Sequence, residues 1–258
     1  MGAAKSIEVK PISAQDANAL VRRVHYSGKV VNNSQLHLGV FYNGRLEGAM
    51  QFGPSLDKRK MLGLVRGTGW NDFLELNRMA FSDVLPRNSE SRALGVAFRL
   101  IRKRYPHVKW VVSFADGTQC GDGTIYRAAG FVLTAIKPNR SMWRVPSGEV
   151  VADISTRFNG SRLVRGRLGF NLGERWSDFA KRVGAVRLDG FQLRYIYFLD
   201  PSWRERLAVP VLPFSAIDDA GARMYKGVRR ADRGAVKPMT VSGANPTPPL
   251  HISRGKRA

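Results

Sequence analysis

The strongest constraint on this chain is one strand–helix–strand unit within residues 72–136. Phe73–Phe81 reads as a strand. Asn88 and Ser89 stand where a helix cap is wanted, and Leu94, Ala97, Phe98 and Ile101 then recur on one helical face. Arg102, Lys103 and Arg104 fill the last turn, where cations complement the helix dipole, and Pro106 stops the helix. Val108–Ala115 follows as a near-continuous apolar run, the pattern of a strand covered on both faces. Two strands joined by such a crossover helix pair in parallel.

The flanking pattern is different. Ile7–Ile12 meets Pro11 and reads as a short edge strand. Ser13-Ala14-Gln15-Asp16 is a capping box, Ala17, Leu20, Val21 and Val24 continue a helix, and Gly28 is its expected C-cap. His25, Tyr26 and Ser27 therefore fall at that helix's exit. Leu36–Tyr42 and Leu46–Phe52 flank Asn43-Gly44, a hairpin signature. Thr124–Ala129 reads as a short helix broken by Gly130, and Phe131–Ile136 as a strand. Leu193–Leu199 is a strong strand, expected to pair with Phe131–Ile136. Between them Ser141–Gly190 is a long basic excursion with one short helix over Glu174–Val183. The expected class is α/β (α+β), with a mixed central sheet and helices on both faces. A catalytic domain would span 1–200, carrying a basic insertion at 141–190 before the last strand. A C-terminal extension would span 201–258 and become mobile from about 221.

Charge narrows the partner. The 258 residues hold 42 Lys+Arg against 20 Asp+Glu, a net charge of +22. The excess is spread over the folded body, which favours a broad polyanion footprint, nucleic acid first and an anionic membrane second. The lone Cys120 allows neither an intrachain disulfide nor a thiolate cluster, and suits a reducing cytoplasm. No apolar run approaches the ~20 residues of a membrane span.

Chemistry-bearing residues gather at strand and helix ends. Arg92-Ala93-Leu94-Gly95-Val96-Ala97 matches Arg/Gln-x-x-Gly-x-Gly/Ala at the expected start of the crossover helix, where free amides bind phosphate. Ile125-Tyr126-Arg127-Ala128-Ala129-Gly130-Phe131 places a Tyr just before a helix end. Together, separated by one buried strand, these elements resemble the GNAT acetyltransferase superfamily. Adding His25-Tyr26-Ser27-Gly28, Leu76-Asn77-Arg78 and Phe114-Ala115-Asp116, the core resembles the Mom proteins of Mu-like phages.

The resemblance implies a GNAT-like fold and an enzyme that adds a carbamoylmethyl group to the exocyclic N6 of adenine in phage DNA, shielding it from host restriction. It implies an acetyl-CoA or related acyl donor cradled by Arg92, Gly95 and Ala97, with Arg78 on the cofactor side. Carried over by position, His25, Tyr26, Asp116 and Tyr126 are the candidate catalytic residues. The product is joined through a methylene carbon, which simple acetyl transfer does not make. That points to an extra activation, with iron or another divalent metal on His25, Tyr26 and Asp116 as one route. Arg162, Arg165, Arg167, Lys181 and Arg182 of the excursion would hold double-stranded DNA in the host cytoplasm, without a membrane. The oligomeric state stays open, a homodimer being one option. The alternative is a conventional acetyl-CoA-dependent N-acetyltransferase acting on a protein or small amine.

Overall fold

In chain order the computed structural model, which describes residues 3–157, 161–225 and 228–229, begins with β1 (Glu8–Pro11), α1 (Ala14–Val24), β2 (Leu36–Tyr42), β3 (Arg45–Gly53) and α2 (Lys58–Leu62). It continues through β4 (Phe73–Phe81), α3 (Ser89–Arg104), β5 (Trp110–Asp116), α4 (Thr124–Ala128) and β6 (Val132–Pro138). An insertion follows with β7 (Met142–Arg144), β8 (Val150–Ala152), α5 (Ser161–Leu168), α6 (Trp176–Val183) and β9 (Val186–Arg187), and β10 (Phe191–Phe198) returns to the main sheet. The sheet order is β1-β2-β3-β4-β5-β10-β6. β4 and β5 run parallel, as their crossover requires, and the other neighbours are antiparallel. The mixed α/β class is as expected, and β10 pairs with β6 as the two apolar runs implied.

Local chemistry explains the elements. Asn43 (φ 49) and Gly44 (φ 76) supply the positive angles of the β2–β3 turn. Ser13 accepts a hydrogen bond from Asp16 N (3.0 Å) and opens α1. That helix ends earlier than expected: His25, not Gly28, is its C-cap, because His25 N still reaches Val21 O (3.0 Å). One sheet face packs under α3, whose Leu94, Ala97, Phe98 and Ile101 are fully buried with Val111, Ala115, Leu133 and Leu193. The other face stacks Phe73 on Trp110 (4.5 Å between centroids) beside Val112, Ile196 and Trp203, while α1 sets Ala17 and Leu20 against Ala49.

The excursion is more ordered than its Gly content suggests. Its strands form a separate sheet, β8-β7-β9, and Trp176, Phe179, Val145 and Val151 are buried together, with Phe170 stacked on Phe179 (3.8 Å). After β10 the chain folds back over the body: Leu207 bridges Val65 and Leu212 bridges Leu133. Just beyond residue 221, where the extension was expected to become mobile, Ala222 packs into the main apolar core and Met224 is buried. Residues 226–227 and 230–258 lie outside the described residues.

Phe98 tests this core. It stacks on Tyr197 (4.1 Å) and contacts Phe131 (5.6 Å) with no exposure. Phe98→Ala should cost about 3–5 kcal/mol in urea unfolding, and a loss near zero would contradict the packing.

Candidate active site in the cleft between β4 and β5

The parallel pair is short. Phe73–Glu75 align with Trp110–Val112, after which the strands part. The rest of β4 and Ser113–Asp116 of β5 flank the gap. A bulge in β4 loads it: Gln51 of β3 lies opposite Arg78 and Phe52 opposite Leu76, so Asn77 is the extra residue. Gly53 lies opposite Glu75, and Gln51 and Gly53, two apart, point the same way. Glu75 and Arg78, of opposite parity, therefore share a face. The C-terminal end of α1 delivers His25 and Tyr26 to that side.

Arg78 is the anchor. Its Nε donates to Lys29 O (2.9 Å) and its Nη1 to Asn77 O (2.7 Å), and it makes no ion pair among the described residues. Burial lowers its pKa, while Tyr26 and Glu75 act the other way. A largely desolvated cation without a carboxylate partner favours an anionic or carbonyl ligand.

His25 lies beside it. Ser27 N–H donates to its Nδ1 (3.2 Å), so the remaining proton sits on Nε2; Ser27 Oγ is 2.9 Å from the same nitrogen. Burial first, and the Arg78 charge second, lower its pKa to about 4. In this state His25 is a neutral Nε2–H donor and a weak base. The Tyr26 ring lies 4.1 Å from the His25 ring. Although 52% of the residue is exposed, its hydroxyl reaches the cleft beside the Cys120 thiol. Burial of that end, with Cys120 and Asp116 nearby, raises its pKa.

Asp116 closes the far end of β5. Its Oδ1 accepts from Thr118 N (2.9 Å) and Asn139 Nδ2 (3.1 Å), which orients the carboxylate. Cys120 Sγ donates to Asp116 O (3.0 Å), and burial pushes this thiol up. Tyr126 sits between Phe131 and Tyr195, 5.2 Å from each ring, and burial raises its hydroxyl to about 12. The fully buried Ser113 Oγ lies beside it without a well-aligned hydrogen bond.

His25, Tyr26, Arg78, Asp116 and Tyr126 are thus brought together. Glu75 was missed. Burial raises its carboxyl pKa, and hydrogen bonds to Ser55 and Asn77 and the Arg78 charge offset part of this. A lone Glu in an apolar strand was the available signal.

The cofactor motif sits differently. Arg92–Ala97 lies one turn inside α3, with Arg92 N already bonded to Asn88 O (3.2 Å), Ala97 buried and Arg92 Nη2 3.4 Å from Lys5 O. A Cβ on Gly95 would meet no protein atom closer than 4.0 Å, so packing within the protein does not demand that glycine. Asn88 is left-handed (φ 69) and makes no side-chain cap, which leaves the first-turn amides of α3, at Glu90 and Ser91, as the places for a phosphate.

The metal set does not fit. Among the described residues no three His, Cys, Asp or Glu side chains converge. His37 stands apart, its Nδ1 3.2 Å from Gln51 Nε2, which also donates to Asn18.

Three of the five proposed DNA contacts are occupied within the insertion. Arg165 donates to Glu174 O (2.5 Å), Arg167 forks onto Glu149, and Arg182 forks onto Glu174 (2.7 and 2.8 Å). Arg162 and Lys181 are exposed. Among the described residues no helix is long and apolar enough to cross a membrane.

The Mom protein family model matches residues 6–216. The chain belongs to the Mom protein family. A relative described as methylcarbamoylase Mom, from Escherichia phage Mu, is 38% identical over 205 residues, 79% of this chain and 80% of that protein. Among solved structures, the Escherichia coli ribosomal-protein-S18-alanine N-acetyltransferase aligns with 75% of this Mom family chain and 94% of its own, at TM-score 0.41 and 12% identity. A GNAT family acetyltransferase from Brucella melitensis, in complex with acetyl-CoA, aligns with 48% and 82%, at TM-score 0.35 and 17% identity.

The His25 environment is testable. Its folded pKa of about 4 lies below the ordinary 6.5, so between these values the unfolded chain binds the proton more readily. The stability it contributes is complete above pH 6.5 and is lost as the pH falls toward 4. NMR titration should place its midpoint near 4, and Arg78→Met should raise it only part-way, since burial is the larger cause. A midpoint near 6.5 in the intact chain would contradict the site.

Proposed function

We propose that this chain is a transferase that adds a carbamoylmethyl group to the exocyclic N6 of adenine in phage DNA, in the host cytoplasm, protecting that DNA from restriction. The observation that carries this reading is the cleft itself. The unpaired Arg78 cation, a neutral His25, an oriented Asp116 and a protonated Tyr126 converge where β4 and β5 part. The 38% identity to the phage Mu methylcarbamoylase supports the substrate class, and the +22 charge suits a DNA partner.

In the duplex the adenine amine is stacked away from any such cleft, so the base is flipped out or taken from a locally open strand. Arg78 and the His25 Nε2–H donate to the base or to the carbonyl of the incoming group. The Asp116 oxygen not held by Thr118 and Asn139 accepts the proton that N6 gives up as its bond to the methylene carbon forms. Tyr126, protonated at neutral pH, supplies a proton to the group that departs from that carbon. The step balances with a donor whose methylene carbon carries the leaving group and whose carbonyl already bears the amide nitrogen, and the Glu90 and Ser91 amides would meet the phosphates of a CoA-type carrier of that unit. No step is assigned to a metal, because among the described residues no group of three His, Cys, Asp or Glu side chains could hold one and the His25 Nδ1 is already taken by Ser27. Lys181 and Arg162 hold flanking phosphates, and Arg165, Arg167 and Arg182 hold the insertion in shape.

Mass spectrometry of nucleosides from cells expressing the chain should show modified deoxyadenosine. Asp116→Asn and Tyr126→Phe should each reduce its yield by about a hundredfold or more, the usual loss of a positioned acid or base. Unmodified deoxyadenosine together with an acetylated protein would replace this reading with ordinary N-acetyl transfer.

A further inference from the structure

Next to the cleft lies a cavity of about 810 Å³. It sits between the β3–α2 connection, the start of β4 and the end of α3. Pro54 and Ser55 join it to the cleft: both line the cavity, Pro54 O accepts from Asn77 Nδ2 (3.4 Å), and Ser55 lies beside Glu75. Two large aromatic rings border it in the open. Trp70 is 55% exposed and Tyr105 39% exposed, with His107 edge-on to Tyr105 at 6.3 Å. Lys58 Nζ stands 4.6 Å from the centre of the Trp70 ring. Two cations, Lys58 and Arg59 of α2, line it, and Arg102, Lys103 and Arg104 fill the last turn of α3 just before the lining Tyr105. The nearest acid, Asp57, is paired with Lys60.

We propose that this cavity seats an unpaired nucleotide of the DNA strand next to the target base, stacked on Trp70, with its phosphate held by Lys58 and Arg59. The proposal rests on the DNA reading above. Exposed rings set among cations bind single strands, because an unpaired base offers its face while a duplex hides it. The volume lies within the range of nucleotide-sized pockets. Flipping one base out of a duplex leaves its neighbours unstacked, and a stacking seat across Ser55 from the cleft would hold that opened strand.

The test is fluorescence anisotropy with a labelled single-stranded oligonucleotide and the full-length chain. Trp70→Ala should weaken binding about tenfold or more, the loss typical of one stacked base, and Trp70→Phe should retain most of the affinity. Lys58→Ala with Arg59→Ala should flatten the salt dependence by roughly one to two phosphate contacts. Circular dichroism matching the parent certifies the fold of each variant. Folded Trp70→Ala that binds like the parent overturns the proposal. Loss of binding to anionic lipid vesicles, with oligonucleotide affinity intact, also overturns it and assigns the cavity to a membrane surface. Nucleoside analysis reads the two proposals separately. A chain that makes no modified deoxyadenosine but loses oligonucleotide affinity on Trp70→Ala keeps the cavity assignment and loses the reaction. The converse pattern keeps the reaction alone.

Discussion

The parting of β4 and β5 sets the terms for the rest of the molecule. Parallel pairing stops at Glu75 and Val112, and beyond it the facing edges of two inner strands carry backbone groups that no longer serve each other. β3 still holds the outer side of β4, and β10 holds the outer side of β5, so the gap is kept open by a continuous sheet. The bulge at Asn77 adds the second half of the constraint. Without it Glu75 and Arg78 would fall on opposite faces, and the cleft would hold one of them.

Burial then sorts protons within the gap. It favours the uncharged forms of His25, Glu75, Tyr26 and Tyr126 and leaves Arg78 charged for want of a neutral form at ordinary pH. The arrangement is rich in proton donors, with the oriented Asp116 as the acceptor. Such a site is better suited to removing one proton from a weakly basic amine and protonating a departing group than to binding a hard cation. His25 changes role on these grounds: a ring whose Nδ1 is occupied by Ser27 orients and donates, and Asp116 takes the basic role.

Much of this was legible in the sequence because it is periodic or punctuated. The crossover unit, the Asn43-Gly44 hairpin and the pairing of β10 with β6 follow from apolar spacing and turn chemistry. Convergence of His25, Tyr26, Arg78, Asp116 and Tyr126 followed from family resemblance; spacing alone would not have joined α1 to β5. Three things were hidden for physical reasons. The cap at Asn88 was expected, but the motif match hid its consequence: a helix begun at Ser89 carries Arg92–Ala97 one turn inside, with the Arg92 amide already bonded to Asn88 O. Glu75 reaches the site through a bulge, and a one-residue register shift leaves no trace in a strand pattern. Phe170 and Trp176 close a small core in the insertion across a stretch broken by Gly169 and Gly173.

The insertion also changes how the +22 charge is understood. Its apolar cluster is small, and arginine makes up part of the difference: Arg167 clamps Glu149, Arg182 clamps Glu174, and Arg157 pairs with Asp153. Arg165 and Arg182 also lie over Phe170 and Phe179, the stacked pair at the centre of that cluster. A guanidinium fixed by a fork and a ring has little freedom to follow a phosphate backbone. The charge that meets DNA is therefore the part without such duties, and it lies in patches: Arg162 and Lys181 on the insertion, and Arg59 beside Trp70. Affinity is then set by where free cations adjoin aromatic faces, and the count of basic residues overstates it.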